Sequence, residues 1–164
     1  MRKSLILSAL VGVLAVPAGA QQPTGMEAMQ YYVGNWSCVG GPLTMAPSKA
    51  TTTFVAEQGI LRQWVSVPKQ GKMKAPYSIA FAITYDSKKG RYLQTTLDNY
   101  GSWSVSVAKP WAGNTEVWTD VANSDKKLGR SQLVRTDKDT FAVTGYDTLT
   151  ATRPGFKVTC KRSS

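Results

Sequence analysis

Residues 31–41, Tyr31-Tyr32-Val33-Gly34-Asn35-Trp36-Ser37-Cys38-Val39-Gly40-Gly41, mark the change from a helical to an extended pattern. Just upstream, Thr24-Gly25-Met26-Glu27 has capping-box spacing, an N-cap oxygen with a glutamate three residues on. Met26, Met29 and Val33 fall on one helical face. The pattern predicts one short helix, Met26 to Val33, stopped by Gly34-Asn35. Trp36 then opens a strand that carries one of only two cysteines, the other being Cys160.

Downstream the chain is almost all strand-like. Ten segments rich in β-branched and aromatic residues are bounded by Gly, Pro, Asn or Asp: 36–39, 51–57, 60–67, 77–85, 91–97, 102–108, 115–121, 128–136, 140–146 and 156–161. Alternation is clearest in two of them. Tyr77, Ile79, Phe81, Ile83 and Tyr85 share one face, and Trp103, Val105 and Val107 alternate with serines. With no second helix to cover a sheet, these apolar faces are buried in a barrel or a sandwich. If sequential strands are antiparallel neighbours, connections alternate between a tight end and a loop-rich end, which favours a barrel with a floor and a mouth. The fold class expected is all-β, a single antiparallel barrel of about 8–10 strands with a short N-terminal helix.

An even strand count makes the first and last strands antiparallel, and closure makes them neighbours. Cys38 and Cys160 then fall together toward the closed end, where a cross-strand bridge fits. A single disulfide is the economical reading, two buried free thiols the alternative. The first twenty residues read as a secretory signal: Arg2 and Lys3, an apolar run from Leu5 to Val16, then Ala18-Gly19-Ala20. That run is too short to span a bilayer. Residues 1–20 are therefore expected to be a signal peptide and 21–164 one barrel domain, periplasmic or secreted. The formal charge of +10 falls to +8 without Arg2 and Lys3, a surplus that favours anionic partners and solubility.

The helix, the Gly34-Asn35-Trp36 opening and the antiparallel strands resemble the lipocalin and calycin superfamily. Within it, the chain is similar to an uncharacterised family of exported bacterial lipocalin-like proteins. Trp36 and Cys38, Tyr85-Asp86, Asp98-Asn99-Tyr100-Gly101, the stretch from Trp111 to Trp118 and the closing Cys160 carry that likeness. It implies a barrel with an internal cavity and no assigned chemistry. Related nitrobindin-like barrels hold haem through histidine, and this chain has none, which excludes histidine-ligated haem and leaves a Tyr or Met ligand open.

The lack of histidine also removes the Ser-His-Asp arrangement and the commonest general base. Ser124-Asp125-Lys126-Lys127 has Ser-x-x-Lys spacing but sits in a polar turn without companion motifs. Glu116 and Asp120 share a strand face, which reads as a solvated face ahead of a cation site or an acid–base pair. Glycine patterns for nucleotide phosphates do not occur. No catalytic residue, metal ligand or cofactor is assigned. Nucleic acid is not expected, because the basic residues are spread over loops without an arginine stripe.

At the expected mouth, Lys49, Lys69, Lys72, Lys74, Lys126, Lys127 and Arg153 outnumber Asp98, Asp125 and Asp147. A cavity behind such a rim suits a small amphiphilic ligand with an anionic head, bound without catalysis. The wall would include Phe54, Val65, Tyr77, Ile79, Trp103 and Phe156. Parity also turns Gln63 inward with Leu61 and Val65, and Arg130 and Gln132 inward with Val134, although Leu133 would reverse that strand. Trp64 and Trp118 have outward parity, which can mark a protein interface or a homodimer. The alternatives are a filled barrel acting as an interaction module and, more weakly, a histidine-free isomerase or hydrolase. The strands are short for an outer-membrane span.

Overall fold

In a computed structural model, which describes residues 25–71 and 73–163, ten strands follow the expected segments: β1 Gly34–Pro42, β2 Ser48–Glu57, β3 Ile60–Val67, β4 Tyr77–Asp86, β5 Arg91–Asp98, β6 Trp103–Ala108, β7 Thr115–Asn123, β8 Arg130–Asp137, β9 Thr140–Tyr146 and β10 Phe156–Arg162. Each pairs antiparallel with its sequence neighbours, and β1 pairs with both β2 and β10, closing the barrel. The signal-peptide reading lies outside the described residues. Among the described residues no helix is long and apolar enough to cross a membrane.

Closure rests on the register between the first and last strands. Cys38 stands directly opposite Cys160, with Cα atoms 4.0 Å apart, and the two form a disulfide across 122 residues of sequence. Trp36 and Arg162 form a register pair two residues nearer the floor. Gly40 lets β1 run close to β10: its φ is 150°, and a Cβ there would lie 2.1 Å from the Lys157 carbonyl oxygen. Any side chain would push the two strands apart.

The expected helix is a 3-10 helix, Gly25–Tyr32, and it plugs the floor. Eight residues are too few for an independent helix, so tertiary contacts must hold it. Met29 and Tyr32 are buried, and the Tyr32 ring stacks on Phe54 at 5.3 Å and meets Phe141 edge-on at 5.2 Å. Trp36 packs edge-to-face on Phe141 at 4.8 Å and donates its indole N–H to the Tyr32 carbonyl. Two arginines satisfy carbonyls that the short helix leaves open. Arg162 lies over Trp36 and donates to the Val33 and Tyr31 carbonyls, while Arg135 lies over Trp111 and donates to the Ala28 carbonyl. The Tyr92 hydroxyl donates to the carbonyl of Gly25. Gly25 itself has φ 43°, with the Tyr85 ring where a Cβ would stand.

The connections 58–59, 87–90, 109–114 and 138–139 join the strands at the floor, and the on average longer loops 43–47, 68–76, 99–102, 124–129 and 147–155 gather at the opposite end. One expectation about the wall is reversed. Tyr92, Ala108 and Trp118 form a register row across β5, β6 and β7, all buried, with the Tyr92 and Trp118 rings stacked at 6.2 Å around the small Ala108. That row fixes the inner face, and strand parity then sends Ser106 and Ser104 inward and Trp103, Val105 and Val107 outward. A bulge between β6 and β7 sets Val105 against Ala122 and Ser106 against Asp120.

Candidate functional site

The barrel encloses a cavity of about 640 Å³. Its lining runs from Met29 and Tyr32 at the plugged floor to Pro42, Met45, Met73 and Tyr77 at the long-loop end. The wall has two chemical sides. Strands β1–β4, β9 and β10 contribute the Cys38–Cys160 bridge, Ala50, Phe54, Val65, Ile79, Phe81, Val143 and Phe156. Strands β5–β8 contribute Gln94, Thr96, Ser104, Ser106, Glu116, Asp120 and Ser131, with Trp118 and Leu133 as their apolar members.

Of the residues expected on the wall, Phe54, Gln63, Val65, Tyr77, Ile79 and Phe156 line this cavity, and Trp103, Arg130 and Gln132 do not. Trp103 is 45% exposed on the outer face and borders a smaller pocket of about 190 Å³ beside Asp98 and Asp125. The Arg130 guanidinium lies 3.8 Å from the Tyr146 ring centroid and donates to the Leu149 and Ala151 carbonyls, so it ties down the 147–155 loop. Gln132 pairs with the outward Val117, whereas Leu133 pairs with Glu116 and Val143 and turns inward. Trp64 is exposed as its parity required, but Trp118, expected outside, is 3% exposed within the lumen.

Glu116 and Asp120, read from sequence as a solvated face, are instead part of the lumen wall. Asp120 is fully engaged: Oδ1 accepts from the Ser106 hydroxyl at 2.6 Å and Oδ2 from the Gly129 amide at 3.0 Å. Glu116 is 2% exposed and only half engaged. Its Oε2 accepts the Trp118 indole N–H at 2.9 Å, and its Oε1 is buried without a partner. Burial raises the Glu116 carboxyl to about 8, against the lowering effects of the Trp118 hydrogen bond and the Arg135 charge. A buried acid of this kind keeps its proton at neutral pH. Beside it, the Tyr32 hydroxyl is also buried without a partner. Burial and then the Glu116 charge push that phenol above its ordinary range. At the mouth, Tyr77 donates to Asp98 at 3.0 Å, and burial together with that bond pushes it up to about 12.

Gln63 is the clearest polar group on the apolar side, and its amide donates to the Thr52 hydroxyl. Sequence reasoning missed Tyr32, Gln94, Glu116, Trp118 and Asp120 as lumen residues. The available signal was the large–small–large match of Tyr92, Ala108 and Trp118, which becomes visible only once the register is known. Among the described residues no group of three or more His, Cys, Asp or Glu side chains could hold a metal ion.

No known protein family matches this chain, and no curated protein does. Among solved structures it is similar to a protein described as a redesigned beta barrel, with 15% sequence identity, 84% of this chain and 96% of that chain covered, and a TM-score of 0.45. What the chain itself establishes is a closed, ten-strand antiparallel barrel with one short 3-10 helix and an internal cavity.

Proposed function

We propose that this is an exported lipocalin-like protein, periplasmic or secreted, that holds a small amphiphilic molecule in its lumen without transforming it. The observation that carries the reading is the cavity of about 640 Å³ bordered at one end by the long loops. Ligand sites commonly start near 300 Å³. A barrel packed solid by its aromatic residues would leave no such volume. The two-sided wall suits an amphiphile, since a tail can lie along Phe54, Val65, Ile79 and Phe156 while polar groups meet the opposite wall. The Cys38–Cys160 disulfide is of the kind that forms and persists in oxidising compartments.

Native mass spectrometry of protein recovered from its own host tests this, with an Ala50→Trp variant that fills the lumen as the control. A retained small molecule that the variant loses is the expected result. Repeated recovery of empty wild-type protein would remove the carrier reading. A second reading, proton-transfer catalysis without histidine, draws on the buried Glu116 beside Tyr32 at the cavity floor. It requires that the recovered molecule be chemically converted on incubation with the wild type and left intact by Glu116→Gln.

A further inference from the structure

The lumen is lined by acids and its rim by bases. The described mouth loops and adjoining strand ends carry Lys49, Lys69, Lys74, Lys126, Lys127 and Arg153, yet the cavity lining contains two carboxylic acids, Glu116 and Asp120, and no lysine or arginine. An anionic head taken into this space would find no cation in the lining itself and would add a third acid, with the Arg135 charge felt only from behind Tyr32 and Glu116. At the floor, two polar atoms are left open, Glu116 Oε1 and the Tyr32 hydroxyl, both on residues that line the cavity and are about 2% exposed. Buried polar atoms without partners are rare, and once Glu116 gives up its proton its open oxygen is an acceptor that calls for a donor. Of the other charged or titratable groups around Glu116, Tyr92 and Asp120 are committed elsewhere, while the Arg135 guanidinium, 5.5 Å from the Tyr32 ring centroid, keeps its Nε buried without a partner. Arg135 is stacked 3.7 Å from the Trp111 ring centroid and bonded to the Ala28 carbonyl, Tyr92 is bonded to the Gly25 carbonyl, and Asp120 holds Ser106 and Gly129.

We propose that the floor of the lumen is a subsite for an organic ammonium group, which donates hydrogen bonds to Glu116 Oε1 and the Tyr32 hydroxyl oxygen while its alkyl tail runs toward Met45, Met73 and Phe156. This rests on the cavity reading and names the ligand class for it. The amphiphile is a cationic amine, not an anion, and the basic rim governs approach only. Charges at the rim are screened within roughly 8 Å at physiological ionic strength, whereas a desolvated ion pair at the floor is not. Proton balance follows from the protonated state of free Glu116. The ammonium enters with its proton, the Glu116 carboxyl releases its own to solvent, and no bond to carbon is made or broken.

Titration calorimetry with decylamine, decanol and decanoate, in buffers of different ionisation enthalpy, separates the outcomes. Expected for the wild type are tightest binding of decylamine, release of close to one proton per amine at neutral pH, and an amine affinity that rises roughly tenfold per pH unit below about pH 8. Glu116→Gln keeps an oxygen for the Trp118 indole and should lose at least about tenfold in amine affinity while decanol binding persists, which also shows that the variant is folded. Decanol or decanoate binding as tightly as the amine, or amine binding without proton release in the wild type, overturns the ammonium subsite and leaves the cavity reading standing. If none of the three binds, both fall. Should the variant not fold, the wild-type proton release decides alone.

Discussion

The two sides of this barrel differ in the polarity of their inner faces. On β1–β4, β9 and β10 the inner face is mainly apolar, with Phe54, Val65, Phe81, Val143 and Phe156 beside Thr52 and Gln63, and the outer face mixes Arg62, Ser66, Ser78 and Thr144 with the exposed Val39, Val55 and Trp64. On β5–β8 the balance shifts: Gln94, Thr96, Ser104, Ser106, Glu116 and Asp120 face inward beside Tyr92, Trp118 and Leu133, and Leu97, Trp103, Val117 and Val121 face out. Both sides have the same two-residue alternation, and a packed globule would require the same polarity throughout. A barrel around a polar-walled cavity does not, because lumen side chains need partners and not oil. Alternation in a strand reports one apolar face, and closure of the barrel decides which side that face takes.

The largest expected effect lies where the apolar side meets the floor. Phe141 contacts Tyr32, Trp36 and Phe54, so Phe141→Ala should cost about 3–5 kcal/mol in urea unfolding. A loss under about 1 kcal/mol would mean that the plug does not depend on this packing. Replacing both cysteines by alanine, which cuts the link between β1 and β10, should lower stability by about 2–5 kcal/mol, read in the same way.

On the polar side the expected signature is a pH slope. The folded Glu116 carboxyl is raised from 4.5 to about 8, so its stabilising contribution is complete below the unfolded value and is lost as pH rises through the folded one. The folded state binds the extra proton in this window, hence stability falls with pH. Glu116→Gln should flatten that fall between about pH 5 and about pH 9, measured by denaturation at several pH values. An unchanged slope would place Glu116 in water. The smallest effect belongs to the outer apolar row. Leu97 is 57% exposed and pairs with Trp103, so Leu97→Ser should change stability by no more than about 0.5 kcal/mol. A larger loss would show that the outer face is covered in solution.

Much of the frame was legible in the sequence because strands announce themselves by β-branched runs between turn residues. The ten segments, the helix before Gly34 and the meeting of Cys38 with Cys160 all follow from local pattern plus closure. The wall was half legible. Phe54, Val65, Tyr77, Ile79 and Phe156 lie on the side where apolar means inward, and parity from Leu61 carried Gln63 with them. Trp103, Arg130 and Gln132 were misplaced because the same assumption was applied to β6 and β8, where serines and Leu133 face the lumen. Glu116 and Trp118 needed the cross-strand register, which no single strand contains.

A crystal structure with a bromine-tagged decylamine, located by the anomalous signal of its bromine, decides whether the lumen holds an amine. One bromine position is expected inside the barrel, near Met45, Met73 and Phe156, with the nitrogen at Glu116 Oε1. Bromine found instead on the outer face beside Leu97 and Trp103, with an empty lumen, would contradict that expectation.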